Sequence, residues 1–292
     1  MSDQITVARA IEFNARVNFL LQQKGSKFRK AVREGTHAGS KTASVVDQVG
    51  TVEMLEKMGR HAELPTVSVP ITRRWVTPTP FAMRDFIDRT DTLRMLWDPK
   101  SSYAETFAMA AGRKMDNVIN AAFLATAATG ESGTGTEAFS ATYQIAHGSV
   151  GVTVAKLRLG RQLFQEAEVD LENEELYCAI SPQGENNLLA ETQVNSRDYN
   201  ETRDGKPILI DGRLNKFLGY TFIVTNRLTK VSTTRSNILW VKSGMYLGMW
   251  DEVKTPIDWM PAMQAWQVAA TADFGATRIE QGRVIELQAT EV

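Results

Sequence analysis

The stretch Asp98–Thr129, DPKSSYAETFAMAAGRKMDNVINAAFLATAAT, decides how the rest of the chain is read. Asp98 suits a helix cap, and Pro99 suits the first helical position, where a missing N–H costs nothing. Tyr103, Phe107, Ala111, Met115, Val118, Ile119, Ala122 and Phe123 then recur at three- and four-residue steps. Lys100, Glu105, Arg113, Lys114, Asp116 and Asn117 fall mostly on the other side. Alanines between Ala108 and Ala128 add helix propensity, and Gly130 is the stop. At about 1.5 Å per residue this is a rod of roughly 45 Å, long for a globular helix. The pattern predicts one spine helix over 98–129.

Upstream of the spine the pattern is β. Thr66–Val76 alternates Val67, Val69, Ile71 and Trp75 against Thr66, Ser68, Thr72 and Arg74, and Val49 to Val52 starts a partner strand. Two strands with so little apolar surface are not stable alone, so the hairpin must lie on something, its own domain or another subunit. Pro70, Arg73, Arg74 and Pro78 read as protection of an edge strand. Pro80 to Met95 leads into the spine, with Phe81, Phe86, Ile87, Leu93 and Leu96 as expected core.

Residues 1–34 begin as an amphipathic helix, with Ile5, Ile11, Phe19 and Leu20 on its apolar stripe. Across 1–41 eight Lys and Arg, among them Lys27, Arg29 and Lys30, face three acids. That is +5, leaving −6 for the remainder of a chain whose net charge is −1. A basic arm on an acidic body points to a neighbouring copy or to enclosed nucleic acid. The regular stripe favours docking on protein. Gly35 to Ser44 reads as a small-residue linker.

Downstream, Gly130 to Gly151 reads as a flexible surface loop. Its glycines make no phosphate loop, since no Gly-Lys-Ser/Thr follows. Thr153 caps a helix, Glu175 to Ile180 makes a short strand carrying Cys178 inward, and Ser181-Pro182 opens another helix. The succession predicts a compact α/β unit over 152–230. Strands at 238–241, 245–249, 264–272 and 283–287 close the chain as an antiparallel sheet. The spine is the candidate to cover that sheet, with Met115, Ile119 and Phe123 packed around Trp266 and Ile285. The body is therefore discontinuous, with the 152–230 unit inserted.

With 292 residues, 43% hydrophobic and 23% charged, the chain is globular and carries one or two cores. Its single cysteine excludes an intrachain disulfide and a multi-Cys zinc site. No apolar run approaches a membrane span. Nothing catalytic emerges. His37, His61 and His147 lack ligand or triad spacing. The acids from Glu166 to Glu175 read as a helix end and its solvated turn. No catalytic residue, cofactor site or metal site is assigned.

The order of parts resembles a tailed-phage major capsid protein of the Hong Kong 97 type. The local phrases Phe13-Asn14-Ala15-Arg16, Asp98-Pro99-Lys100-Ser101-Ser102-Tyr103, Ala111-Gly112-Arg113-Lys114, Val154-Ala155-Lys156-Leu157 and Phe274-Gly275-Ala276-Thr277-Arg278-Ile279-Glu280 are similar to one branch of these proteins over nearly the whole chain. The resemblance implies an α+β fold with an N-terminal arm (1–45) and an extended hairpin loop (46–80). A peripheral domain (81–151 and 231–292) would hold the spine and an antiparallel sheet, and 152–230 would be the axial domain. It implies pentamers and hexamers building an icosahedral head shell around the genome. A scaffolding protein, a portal, a decoration protein and packaged double-stranded DNA would be the partners, with assembly in the host cytoplasm. Beside this stand an encapsulin-type nanocompartment shell and a stand-alone α+β enzyme. Contacts between copies are expected at Ile5, Ile11, Phe19, Leu20, Lys27, Arg29, Lys30, Val67, Val69, Ile71 and Trp75, with Ile71 or Trp75 as the hairpin's anchor.

Overall fold

The computed structural model describes residues 22–39, 41–60, 63–90, 99–195, 209–210 and 213–291. They fall into two compact units. One comprises the described parts of 1–26, 80–113 and 252–272, the other those of 27–79, 114–251 and 273–292.

The spine helix is Pro99–Leu124. The expected cap, Asp98, lies outside the described residues, as do Leu93 and Leu96. The helix stops before Thr129 because Ala127–Thr129 is a strand, paired antiparallel with Ile71–Val76 and with Gly135–Glu137. Alanine favours the helix locally, but the available ladder partners decide the last residues. The same pairing corrects the reading of Ile71–Val76 as an edge. That strand is interior to a four-stranded antiparallel sheet, between Ala43–Val49 and Ala127–Thr129. Arg74 is accordingly buried rather than a surface guard.

In the second unit a seven-stranded mixed sheet forms the core. Leu176–Ile180 lies between Tyr220–Val224, parallel to it, and Thr234–Val241, antiparallel to it; Val284–Thr290 pairs next, then Gln144–Ile145. This sheet joins strands from both sides of the expected boundaries at 151 and 230. Alternation along Thr234–Val241 sends neighbours to opposite faces. Leu239 and Val241 join Leu157 and Phe164 of the helix Val154–Glu166, with Cys178, Ile180, Ile285 and Leu287. Gly160 permits that approach, since a Cβ there would lie 2.4 Å from the Leu239 side chain. Trp240 turns the other way, 4.8 Å from Phe123 and 5.8 Å from Phe28. Met115, Ile119 and Phe123 are buried, as expected. The ring facing Phe123 is Trp240, however, while Ile285 belongs to the cluster on the sheet's opposite face.

The caps follow the sequence: Thr153 accepts from the Lys156 amide and Ser181 from that of Gly184. Two expected loops are more ordered than their composition implies. The 35–44 linker begins within the strand Arg33–Thr36, parallel to Tyr246–Met249, and ends within Ala43–Val49. The glycine-rich 130–151 segment carries Gly135–Glu137 and Gln144–Ile145, because sheet partners supply the ladder that local propensity does not.

Thr79–Asp88 pairs with Ala265–Arg278; within the first unit the 265–268 part of that strand takes Ile257–Met260 antiparallel, Ile257 opposite Val268. The Lys100 ammonium sits 3.7 Å from the Trp266 ring, and Trp259 lies edge-on to Trp266 at 5.2 Å.

Candidate assembly surfaces

The hairpin separates into a fixed base and a bare excursion. Val49 and Ile71 form the last rung, and one further bond, Gly50 N–H to Pro70 O at 2.7 Å, closes the base. Below it several side chains are tied down. The Trp75 indole donates to Gly130 O at 2.7 Å. Arg74 Nε and Gln48 Nε2 both donate to Ile279 O, at 2.6 and 2.8 Å, and the Arg74 guanidinium pairs with Glu137. The hydrogen bond from Arg73 holds the Asp47 carboxyl below its usual range.

Above the rung, the described residues between 51 and 70 form neither helix nor strand, and all are exposed. Of the sixteen large hydrophobic residues exposed among the described residues, nine lie from Val49 to Ile71. Met54 and Met58 are as exposed as in an extended chain, at 101% and 99%. Burying one such side chain is worth about 1.5–3 kcal/mol, so nine in one stretch mark an interaction surface rather than scatter.

The root of the arm is the second feature. The backbone amides of Lys27 and Phe28 donate to the Asp116 carboxylate, at 3.1 and 3.2 Å, and that carboxylate is fully buried on the spine helix. Phe28 inserts beside Phe123 and Trp240, and the Trp240 indole donates to Ala31 O at 2.8 Å. Lys27 Nζ reaches Val224 O at 2.6 Å, and Arg29 pairs with Glu34 at 3.0 Å. The arm is thus pinned at residues 27–31.

The segment Phe274–Glu280 ties these parts together. Phe274 is buried, and Gly275 passes Thr77 so closely that a Cβ would lie 2.2 Å from its carbonyl oxygen. Arg278, also buried, donates from Nη1 to Phe123 O at 2.7 Å and Ala125 O at 3.0 Å. These are the carbonyls a helix C-terminus leaves unpaired, where a cation is also favoured by the helix dipole.

Of the expected contact residues, Ile5, Ile11, Phe19 and Leu20 lie outside the described residues. Val67, Val69 and Ile71 are exposed on the loop and its first rung. Trp75 is engaged within its own chain, as are Lys27 and Arg29, while Lys30 is exposed. Sequence reasoning missed Met54, Leu55 and Met58, whose three- and four-residue spacing is too short a run to define an element. It also placed Asp116 with the solvent face of the spine.

No group of three or more His, Cys, Asp or Glu among the described residues is arranged to hold a metal, and no described helix is long and apolar enough to cross a membrane. Cys178 is fully buried, and burial pushes its thiol up. His37 bonds the Tyr246 hydroxyl at 2.8 Å and lies tilted against Trp250 at 4.9 Å, and His147 accepts from the Ser149 amide. The acidic turn is held internally, Asp170 accepting from the Glu172 and Asn173 amides, and Glu174 pairing with Arg283.

The family model described as phage capsid protein matches residues 5–291. No curated protein matches the chain. Among solved structures, the capsid of cyanophage Pam1 is similar with a TM-score of 0.76 at 11% identity, over 98% of this chain and 97% of that one. The capsid of cyanophage P-SCSP1u gives 0.72 at 16% identity, covering 99% and 95%. The capsid of Ralstonia phage GP4 gives 0.72 at 12%, covering 98% and 96%. The α+β architecture, few helices among many strands, is shared with these capsid chains.

Proposed function

From the premise that the chain belongs to the phage capsid protein family, we propose that its copies close as pentamers and hexamers into the icosahedral head shell. Its role is structural. The observation that carries this reading is the loop between Val49 and Ile71, an apolar surface that its own chain leaves bare. A loop from one copy lying on the next is a heterologous contact, and repetition of such contacts closes rings and extends lattices. The arm (1–45) and hairpin loop (46–80) are the connecting parts in this reading. The peripheral part (81–151 and 231–292) and the axial part (152–230), joined through the seven-stranded sheet, are the shell's wall in this reading.

The same reading brings partners by analogy with the family: a scaffolding protein and portal during assembly in the host cytoplasm, a decoration protein outside, and double-stranded DNA within. The engagement of Lys27 with the Val224 carbonyl and of Arg29 with Glu34 inside their own chain supports protein docking over phosphate binding as the arm's role. Electron microscopy of the expressed full-length chain tests the proposal. Closed shells of uniform diameter are expected; a chain that stays monomeric under every assembly condition contradicts it.

A further inference from the structure

The root of the arm borders a cleft of about 720 Å³ inside the second unit, walled by residues 29–34 on one side and by 173–175 and 242–243 on the other. Most of its charges are matched. Arg29 pairs with Glu34 at 3.0 Å, Lys242 with Glu175 at 3.3 Å, and Glu174 takes Arg283 at 3.0 Å. Two cations remain. Lys30 and Arg33 are both exposed, and neither side chain has an ion pair or hydrogen bond among the described residues. Arg33 also lines a second cleft of about 620 Å³, with Gln48 and Thr51 at the foot of the loop.

The loop offers the counter-charge. Glu53 and Glu56 are exposed within Val52-Glu53-Met54-Leu55-Glu56, and neither carboxylate has a partner among the described residues. Apolar residues from Val52 to Leu55 flank the Glu53 and Glu56 carboxylates, the loop's cations Lys57 and Arg60 follow them, and an open cleft holds two unpaired bases. We propose that in the shell the Glu53 and Glu56 carboxylates of one copy enter the arm-root cleft of its neighbour and pair with Lys30 and Arg33. The apolar loop residues then supply contact area, and the charges set the register, since complementary charge chiefly fixes orientation and excludes wrong pairings. This rests on the loop's role as a connector between copies.

Charge reversal tests the pairing under conditions where the unaltered full-length chain forms shells. K30E/R33E and E53K/E56K should each lower the assembled fraction at least about tenfold, because like charges face each other across the contact. Combining all four changes should restore it to within about threefold. A combined variant no better than the worse parent overturns the pairing, as does either reversal assembling normally. A cysteine pair, R33C/E56C, locates the contact. Cys178 is buried, so oxidised shells should give covalent multimers on a non-reducing denaturing gel. Normal shells that dissolve to monomer contradict the approach of residue 56 of one copy to residue 33 of the next. Deleting 51–69 separates the two claims. Shells formed without the loop remove the connector reading itself, whereas lost shells without four-fold rescue remove only this pairing.

Discussion

The strand Thr234–Val241 and the loop between Val49 and Ile71 are both rich in apolar residues, and they end in opposite states. Ile238, Leu239, Trp240 and Val241 are buried on both faces, under the helix Val154–Glu166 on one side and against Phe28 and Phe123 on the other. Met54 and Met58 touch nothing that shields them. Hydrophobic burial acts wherever cover exists, and the chain supplies cover to the strand but none to the loop. One set of apolar residues is completed by folding, the other only by association.

The largest expected break is on the folded side. Phe123→Ala or Trp240→Ala should destabilise the unassembled subunit by about 3–5 kcal/mol, read as a fall in denaturant midpoint. A loss well under about 1 kcal/mol would put that face in solvent. Arg278→Met should cost about 2–3 kcal/mol, because the Phe123 and Ala125 carbonyls lose their buried donor. Asp116→Asn keeps one acceptor for the Lys27 and Phe28 amides, so about 1–2 kcal/mol is expected, with faster proteolysis at the arm root. On the other side, Met54→Ser with Met58→Ser should change subunit stability by no more than about 0.5 kcal/mol and yet depress shell formation. A loop change that unfolds the subunit would erase the contrast. Cys178 should react with thiol reagents only at the rate of unfolding, since it is fully buried.

The periodicity from Tyr103 to Phe123 made the spine legible, and the Thr153 and Ser181 caps placed two further helices. These are local signals, and local physics enforces them. The spine's last residues, the 130–151 segment and the status of Ile71–Val76 were not legible, for one shared reason. Ile71–Val76 and Ala127–Thr129 pair across more than fifty residues of chain, and Gly135–Glu137 becomes a strand only by adding to Ala127–Thr129. The Phe274–Glu280 phrase was visible as a resemblance, but Arg278's position at the helix end was not, since nothing in its neighbours points to Phe123. The loop's alternation at Val67, Val69 and Ile71 signalled a strand. Only Ile71 entered one, and the exposure of the others is what marks the surface. Deleting 52–74 would therefore strip a sheet strand as well as the loop, and 51–69 is the cleaner cut.

Amide hydrogen exchange, followed by residue in unassembled subunits and in shells, tests most directly whether the loop is completed by a neighbouring copy. The amides of 51–58 and 63–70 should exchange near the rate of free peptide in the subunit. In shells they should slow by at least about 100-fold, while Thr234–Val241 stays protected in both. Loop amides that exchange equally fast in closed shells would contradict the claim that association covers what folding leaves exposed.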